Sequence, residues 1–237
     1  MVLFSFAPMP SALEILQDEI TACELCPRLR EHCRNVAETK RRAYRDWTYW
    51  GRPVRSFGDP AARVLVIGLA PGAHGANRTG RMFTGDASGD FLYAALHATG
   101  FASQPGSTHR GDGLSLRGLY IAASARCAPP DNKPLPEELR RCRPYLEREI
   151  DLLGYVRVVV TLGRIAFDTY LAILKDRGAI ASRAPFVFAH DRVYDTTPGN
   201  PKLIASYHPS QQNTSTGRLT APMLRSVFRR AAKLAAA

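Results

Sequence analysis

The segment from Val64 to Asp86 constrains the fold of this chain more than any other part of the sequence. It opens with a short, mostly β-branched apolar run from Val64 to Ile67. Such a run predicts a strand buried on both faces, as in a parallel sheet covered by helices. A loop rich in glycine and polar residues follows the strand. Because ligands of open α/β sheets bind where loops leave the carboxyl ends of strands, this loop is a candidate binding site.

The glycine-rich loop fits neither of the two common phosphate-binding fingerprints. It lacks the G-x-G-x-x-G spacing of dinucleotide sites, and no G-K-[ST] follows it as in a P-loop. Its glycines permit positive φ values and a close approach of the backbone to a ligand. Taken alone, the segment is equally compatible with a well-packed strand-to-loop transition.

Apolar runs and helical periodicities alternate along the rest of the chain, which predicts a parallel sheet between helical layers. The predicted strands cover residues 64–69, 119–125, 156–162 and 203–207. The predicted helices cover residues 11–22, 91–99, 137–153, 163–175 and a final stretch after Thr220. Ser11 and Glu14 form a capping box for the first helix. Pro144 is expected to kink or split the third, and residues 184–195 form either a hairpin or an extended loop.

The charge of the chain favours a polyanionic partner. Lysine and arginine number 32 against 21 acidic residues, which gives a net charge of +11. Residues 28–55 and 196–237 carry most of the local excess, and residues 40–58 interleave it with aromatic side chains. This pattern suits nucleic acid, although a basic protein without such a partner or a loop packed over the domain fits as well. Without a long apolar span or a basic leader in residues 1–10, an intracellular, cytoplasmic protein is expected.

The chain contains five cysteines, which in a reducing compartment are expected to be metal ligands rather than disulfides. Cys23 and Cys26 form a C-x-x-C pair, whereas Cys127 and Cys142 form a wider pair. One C-x-x-C pair does not distinguish zinc from an iron–sulfur cluster, and buried inert thiols remain an alternative. Cys33 stands apart from both pairs.

Three separated motifs resemble the uracil-DNA glycosylase superfamily, specifically its fifth, type B family, whose members carry an iron–sulfur cluster. They are GLAPGAHGANRTGRMFTGD at 68–86, RCAPPDNKP at 126–134 and HPS with NTSTGRLT at 208–220. The resemblance extends from Cys23 to the C-terminal helix. It implies a three-layer α/β/α sandwich around a four-stranded, mainly parallel sheet. Residues 1–237 would form one domain, with residues 11–58 tied to its body by the cluster.

The same resemblance implies a [4Fe–4S] cluster bound by Cys23, Cys26, Cys127 and Cys142, with a structural role. Cys33 matches nothing in that cysteine pattern and is interpreted as a small apolar filler. The implied partner is DNA that contains deaminated bases, and the implied oligomeric state is a monomer.

The implied reaction is hydrolysis of the N-glycosidic bond of a deaminated base that has been flipped out of the helix, leaving an abasic site. His208 would donate a hydrogen bond to the oxyanion that develops on the base. Phe83 would stack on the flipped base, and backbone amides from Ala70 to Gly72 would contact its carbonyls. For His208 and Phe83 alone, a structural histidine and a core aromatic are the competing interpretations.

Activation of water is the point at which this sequence departs from better-known families. Their polar residue in the GxxPG motif is replaced here by Leu69 or Ala70. The type B family shares this lack, and the asparagine thought to hold the water there corresponds to Asn132. Asp86 is a second catalytic candidate and Asn77 a third, which is also grouped with the base-binding residues. Asp86 and Asn132 lie among Gly and Pro residues, where turn-forming Asx residues are equally common.

Two further expectations concern substrate and DNA. Ala123 stands where the related fourth family has an asparagine that reads uracil, which predicts broad specificity including hypoxanthine or xanthine. Gln211, Gln212 and Asn213 would probe the minor groove, and Arg218 would contact a phosphate. The alternatives to a glycosylase are a non-catalytic iron–sulfur nucleic-acid-binding protein and an iron–sulfur redox protein.

Overall fold

A computed structural model describes residues 10–197 and 199–236 of the chain. Residues 1–9, which entered the argument about a leader, therefore lie outside the described residues, as do Pro198 and Ala237. Six strands form one sheet: β1 Phe57–Gly58, β2 Val64–Gly68, β3 Leu119–Ala123, β4 Val158–Leu162, β5 Arg192–Tyr194 and β6 Lys202–Ser206. Their spatial order is β1-β3-β2-β4-β6-β5. The four central strands are parallel, whereas β1 and β5 run antiparallel at the edges.

Helices cover both faces of the sheet. They are α1 Ala12–Thr21, α2 Pro27–Thr39, α3 Ala76–Thr79, α4 Ala87–His97, α5 Pro136–Leu152, α6 Arg164–Asp176, α7 Gln211–Ser215 and α8 Ala221–Ala236. One apolar core joins alternate strand residues to α4 and α8, and a second joins the opposite face to α5 and α6. This confirms the three-layer α/β/α sandwich. In the described part of the chain, no helix is long and apolar enough to span a bilayer.

The predicted sheet of four strands is wrong in its count, because two short edge strands extend it to six. β1 has two residues and β5 three, and neither carries the buried apolar run that marks the central strands. Residues this few produce no detectable period along the sequence, and their pairing with β3 and β6 fixes them instead. The region 184–195 thus contributes an edge strand at its end.

Most predicted helices are confirmed with shifted ends. Ser11 caps α1 and forms the expected capping box with Glu14. Pro144 lies inside α5, which continues through it as one helix instead of splitting. α2 was missed from the sequence because it is strongly polar, although Pro27 in its first turn is a favourable start signal.

The strand order creates a crevice at the carboxyl ends of β2 and β4. The chain passes from β2 to β3 on one side, and then crosses to β4 on the other side of β2. Adjacent loops diverge at such a reversal, which is where open α/β sheets bind ligands. The loop after β2 is the glycine-rich motif, β4 ends beside Gly163, and β6 leads into His208.

Candidate active site

Phe83 and His208 meet at this crevice. The Phe83 ring lies directly over Gly68 at the end of β2, where an added Cβ would stand 2.9 Å from the ring. The centroids of the Phe83 and His208 rings are 5.9 Å apart, with 32° between their planes. Phe83 holds this place with φ at +51°, a conformation that costs energy for a non-glycine residue and that clusters at functional sites. The two sequence-predicted residues therefore form one aromatic wall.

His208 is held by its backbone and kept neutral by its surroundings. Its Cβ lies beside Gly163, where an added Cβ would approach to 3.2 Å. Asn213 Nδ2 donates a 2.8 Å hydrogen bond to the backbone oxygen of His208. Burial lowers the pKa of His208 to about 4. Near neutral pH the imidazole is therefore uncharged, with one N–H to donate and one nitrogen to accept.

Asp86 lies at the far end of the glycine-rich loop and caps α4. Its Oδ1 accepts a 2.9 Å hydrogen bond from the backbone N–H of Gly89. Its Oδ2 lies so close to Gly75 that an added Cβ would stand 1.8 Å away, and it lies near Gly72 as well. Burial raises the pKa of Asp86, and hydrogen bonds from the backbone offset part of the effect. One carboxylate oxygen thus stabilises the helix while the other faces the loop.

The other loop residues predicted to contact the base have different environments. Ala70 and Gly72 lie at the start of the loop and are half-buried, so part of each residue remains accessible to a ligand. Asn77 is fully buried, and its Nδ2 lies 3.3 Å from the backbone oxygen of Cys33 and 3.4 Å from that of Ala73. Its amide therefore connects the loop to α2, and a role at the base stays a prediction.

Arg78, which sequence reasoning missed, supports the glycine-rich loop from within. Its Nε donates to the backbone oxygen of His74 at 2.7 Å, and its Nη2 donates to that of Gly85 at 2.6 Å. The guanidinium carbon lies 3.8 Å from the ring centroid of Tyr44 and 4.1 Å from that of Trp47. Both aromatic residues belong to the stretch 40–58, whose mixture of basic and aromatic side chains was interpreted as suited to nucleic acid, and they pack against the buried arginine.

The four cysteines outside α2 line one cavity. Cys23, Cys26, Cys127 and Cys142 share its wall, together with Leu25, Leu29, Arg30, Pro53, Arg126 and Arg141. In a cubane cluster each thiolate binds a different iron, so its four ligands stand farther apart than those of a single ion. Within the described residues, no three His, Cys, Asp or Glu side chains are grouped as ligands of a single ion.

Arg126 provides a second indication that this cavity suits an anionic group. It is buried to 2% exposure and lines the cavity, yet its Nε–H has no hydrogen-bond acceptor among the described residues. A buried donor without a partner costs about 1–3 kcal/mol. A cluster with thiolate ligands carries negative charge and sulfur acceptors, so the donor set and its arginines fit such a group. Cys33 does not line the cavity, and it is buried in a small apolar cluster with Leu29, Cys127 and Ala128; its role as a filler stays a prediction.

Comparison with known proteins identifies the family. The family described as "UDG: Uracil DNA glycosylase superfamily" matches residues 55–232. The chain belongs to the uracil DNA glycosylase superfamily. A "Type-5 uracil-DNA glycosylase" from Thermus thermophilus is 53% identical over 94% of this chain and 98% of its own length. Proteins of the same name from Mycobacterium leprae and Pyrobaculum aerophilum are 49% and 44% identical, covering 93% and 91% of this chain and 94% and 90% of their own lengths.

In this superfamily member, the residue predicted to affect base identity ends β3, and the one predicted to handle water follows that strand. Ala123 is the last residue of β3 and is buried in register with Gly68, with no polar group to offer. Asn132 lies in the turn Pro130–Asn132 with φ at +57° and is exposed. Its side chain makes no hydrogen bond within the described residues, and a role in holding water stays a prediction.

The residues predicted to contact DNA in this superfamily member divide into two groups. Gln211 and Gln212 are exposed at the start of α7, directly after the HPS motif. Asn213 instead turns inward to the backbone of His208. Arg218 is exposed, and its guanidinium carbon lies 4.6 Å from the ring centroid of Tyr207. Gln211, Gln212 and Arg218 are thus exposed to solvent in the region that follows β6, and their contacts with DNA stay predictions.

Proposed function

We propose that this chain is a monofunctional uracil-DNA glycosylase, a hydrolase of base excision repair that leaves an abasic site in DNA. The observation that carries the proposal is the neutral His208 beside the Phe83 ring at the crevice between β2 and β4. Relatives named type-5 uracil-DNA glycosylase, at 44–53% identity over most of the chain, support it. The net charge of +11 suits a DNA substrate.

The chemistry begins with a base outside the stack, since the glycosidic bond is inaccessible within the duplex. The Phe83 ring covers one face of the flipped base, while backbone N–H groups near Ala70 and Gly72 contact its carbonyl oxygens. As the bond to the sugar breaks, negative charge grows on the base, and the N–H of neutral His208 stabilises it. A donor of this kind contributes about 2.7–4 kcal/mol of transition-state stabilisation.

Water reaches the sugar without a carboxylate in the GxxPG motif. Asn132, exposed and unbonded on the loop after β3, is the first candidate to hold it, and Asp86 is the second. Asp86 already uses Oδ1 as a helix cap, which leaves only Oδ2 for such a role. A sugar with oxocarbenium character requires less basicity from its water ligand than direct displacement does, which favours the asparagine.

We extend the substrate range to hypoxanthine or xanthine. The residue at the end of β3, Ala123, has no donor or acceptor in its side chain with which to read the edge of uracil. Pockets built on hydrogen bonds reject wrong groups most strongly, so a pocket that lacks one discriminates less.

Cys23, Cys26, Cys127 and Cys142 would hold a [4Fe–4S] cluster in the cavity they line. When bound, the cluster would supply a cross-link between the N-terminal region and the body of a single domain. It would also secure α2, whose Cys33 backbone oxygen accepts a hydrogen bond from Asn77 Nδ2 of the glycine-rich loop. A visible absorption spectrum of the purified protein tests the assignment, and a colourless preparation with stoichiometric zinc would contradict it.

The test of the function uses a duplex oligonucleotide with one uracil opposite guanine, and a second with hypoxanthine, followed by alkaline cleavage of abasic sites. We expect cleavage at both lesions by the wild type and strong loss in His208→Ala with DNA affinity unchanged. His97→Ala is the matched control, because His97 is exposed in the last turn of α4, away from the crevice. Binding without cleavage by the wild type would favour the non-catalytic binder instead.

A further inference from the structure

Residues 103–113, termed here the Ser103 loop, make a long excursion toward the candidate site. The chain leaves α4 at the amino end of the sheet and enters β3 at that same end. Between the two it returns to the glycine-rich motif, where the backbone N–H of Gly85 donates to the oxygen of Ser107 at 2.8 Å. A direct connection would need only a few residues, and long ordered loops without secondary structure are often binding loops.

A buried ion pair fixes the Ser103 loop to the motif. Arg81 Nη1 and Nη2 donate to Asp112 Oδ1 and Oδ2 at 2.9 and 2.7 Å. The side chains are 4% and 6% exposed. Arg81 also donates to Ser107 Oγ at 2.9 Å, and Asp112 Oδ2 accepts from the backbone N–H of Thr108 at 2.8 Å. A bidentate pair with this many neighbouring hydrogen bonds holds the loop in one position, so the tip of the loop has a fixed orientation.

The tip of the loop presents an arginine on an aromatic face. Residues Thr108 to Gly111 are exposed, and the Arg110 guanidinium carbon lies 4.7 Å from the ring centroid of Trp50. The guanidinium carbon of Arg52, also exposed, lies 5.9 Å from the same ring. The Trp50 ring itself packs over Gly80 of the motif, where an added Cβ would stand 2.9 Å away. The indole therefore joins both arginines to the loop that carries Phe83.

Neither arginine is neutralised within the described residues, since no carboxylate forms an ion pair with Arg52 or Arg110 there. Many of the other arginines of the chain do have such partners. Stacking on an aromatic face orients a guanidinium in advance while its N–H groups stay free. That arrangement suits the oxygens of a phosphodiester, which arginine binds as a fork.

We propose that Arg110 and Arg52, assembled on Trp50, bind phosphates of the DNA backbone beside the flipped nucleotide. The proposal rests on the proposed function, and it adds a second DNA contact to the one expected from α7. The Ser103 loop is then a fixed arm that positions the strand, while the base pocket is formed by Phe83 and His208. The contact is to the backbone and carries no information about base identity.

The test measures binding of uracil-containing duplex as a function of salt concentration for Arg110→Ala and Arg52→Ala. Removal of one arginine–phosphate interaction should reduce the slope of log affinity against log salt by about one. The matched control is Arg157→Ala, because Arg157 is exposed at the amino end of β4, opposite the crevice, and has no carboxylate partner among the described residues. Both test side chains are exposed, so the variants are expected to fold as the wild type does.

Single-turnover cleavage with enzyme in large excess separates this proposal from the proposed function. We expect both arginine variants to reach the wild-type rate at saturation while requiring more enzyme to reach it. Salt slopes equal to those of the wild type and of Arg157→Ala would overturn the phosphate contact. An inactive wild type with reduced slopes in the variants would instead refute the catalytic function and leave this DNA contact standing.

Discussion

Replacement of Glu149 by glutamine tests how the N-terminal region is attached to the sheet. Glu149 is completely buried in α5, and its Oε2 forms an ion pair with Arg126. Its Oε1 accepts a 2.7 Å hydrogen bond from Gln17 of α1. Gln17 in turn accepts from the backbone N–H of Ser56 at 2.8 Å and contacts the Tyr120 hydroxyl at 3.1 Å. One carboxylate thus connects α1, α5, β3 and the segment before β1.

The expected loss of stability follows from the burial of both charges. Removal of one partner leaves the Arg126 guanidinium charged, buried and unpaired, which costs about 3–5 kcal/mol. Arg126 is 2% exposed, so bulk water cannot take the place of the carboxylate. For a domain of this size, one kcal/mol shifts Tm by about 2–4 °C. The apparent Tm of Glu149→Gln should therefore fall by about 6–20 °C.

The assay is thermal unfolding of the protein as purified, at one scan rate, because unfolding is expected to be irreversible if a metal centre is lost. Glu147→Gln provides the matched control in the same helix. Its carboxylate pairs with Arg143 at i−4, and the two side chains are 29% and 25% exposed. Such a pair contributes about 0–1 kcal/mol. A Tm for Glu149→Gln within a few degrees of that control would refute the reasoning, since the buried pair would then be worth no more than a surface pair.

Four further predictions concern the candidate active site and the cysteine cavity. Gly75→Ala places a Cβ 1.8 Å from Asp86 Oδ2, so the Asp86 side chain must move away from its capping position on α4. The loss of this cap should reduce the free energy of unfolding by about 0.5–2 kcal/mol and lower the cleavage rate. Gly154→Ala is the control, because nothing lies near its added Cβ and neither quantity should change. Because burial lowers the pKa of His208 to about 4, single-turnover cleavage should show no histidine ionisation near pH 6.5, and an inflection there that disappears in His208→Gln would contradict the mechanism. Below about pH 6.5 an unfolded histidine binds a proton, whereas folded His208 stays neutral down to about pH 4. The free energy of unfolding should therefore decrease as the pH falls from about 6.5 to 4. Cys142→Ser should lose visible absorbance and lower the Tm, whereas Cys33→Ser, outside the cavity, should keep the absorbance.

The sequence predicted the fold best where a short local pattern determines the element that forms. The apolar run Val64 to Ile67 predicted a central strand, because a strand covered on both faces buries short, mostly β-branched residues in succession. The location of His208 after a strand was predictable for the same reason, because carboxyl ends of parallel strands share one edge. The edge strands were not predictable, since two or three residues carry no period and are defined by their neighbours.

Contacts between distant residues account for most of what the sequence did not reveal. Nothing local distinguishes the buried Arg81 and Arg126 from the exposed arginines around them, because their carboxylate partners lie 31 and 23 residues away. Likewise, the mixture of basic and aromatic residues at 40–58 suggested a surface for nucleic acid. Tyr44 and Trp47 instead pack on Arg78, whereas Trp50 joins two arginines that remain exposed.

The glycines of the motif have a structural role that the sequence analysis did not foresee. Glycine there was expected to admit a ligand to the backbone, yet each close approach is made by a side chain of the protein itself. Phe83 occupies the space over Gly68, Asp86 that over Gly75, and Arg78 that beside Gly85. The absent Cβ atoms therefore allow one loop to fold its own aromatic ring, carboxylate and guanidinium back against its backbone. This explains how the loop can hold Phe83 at a positive φ: the surrounding packing, rather than local preference, determines the position of the ring.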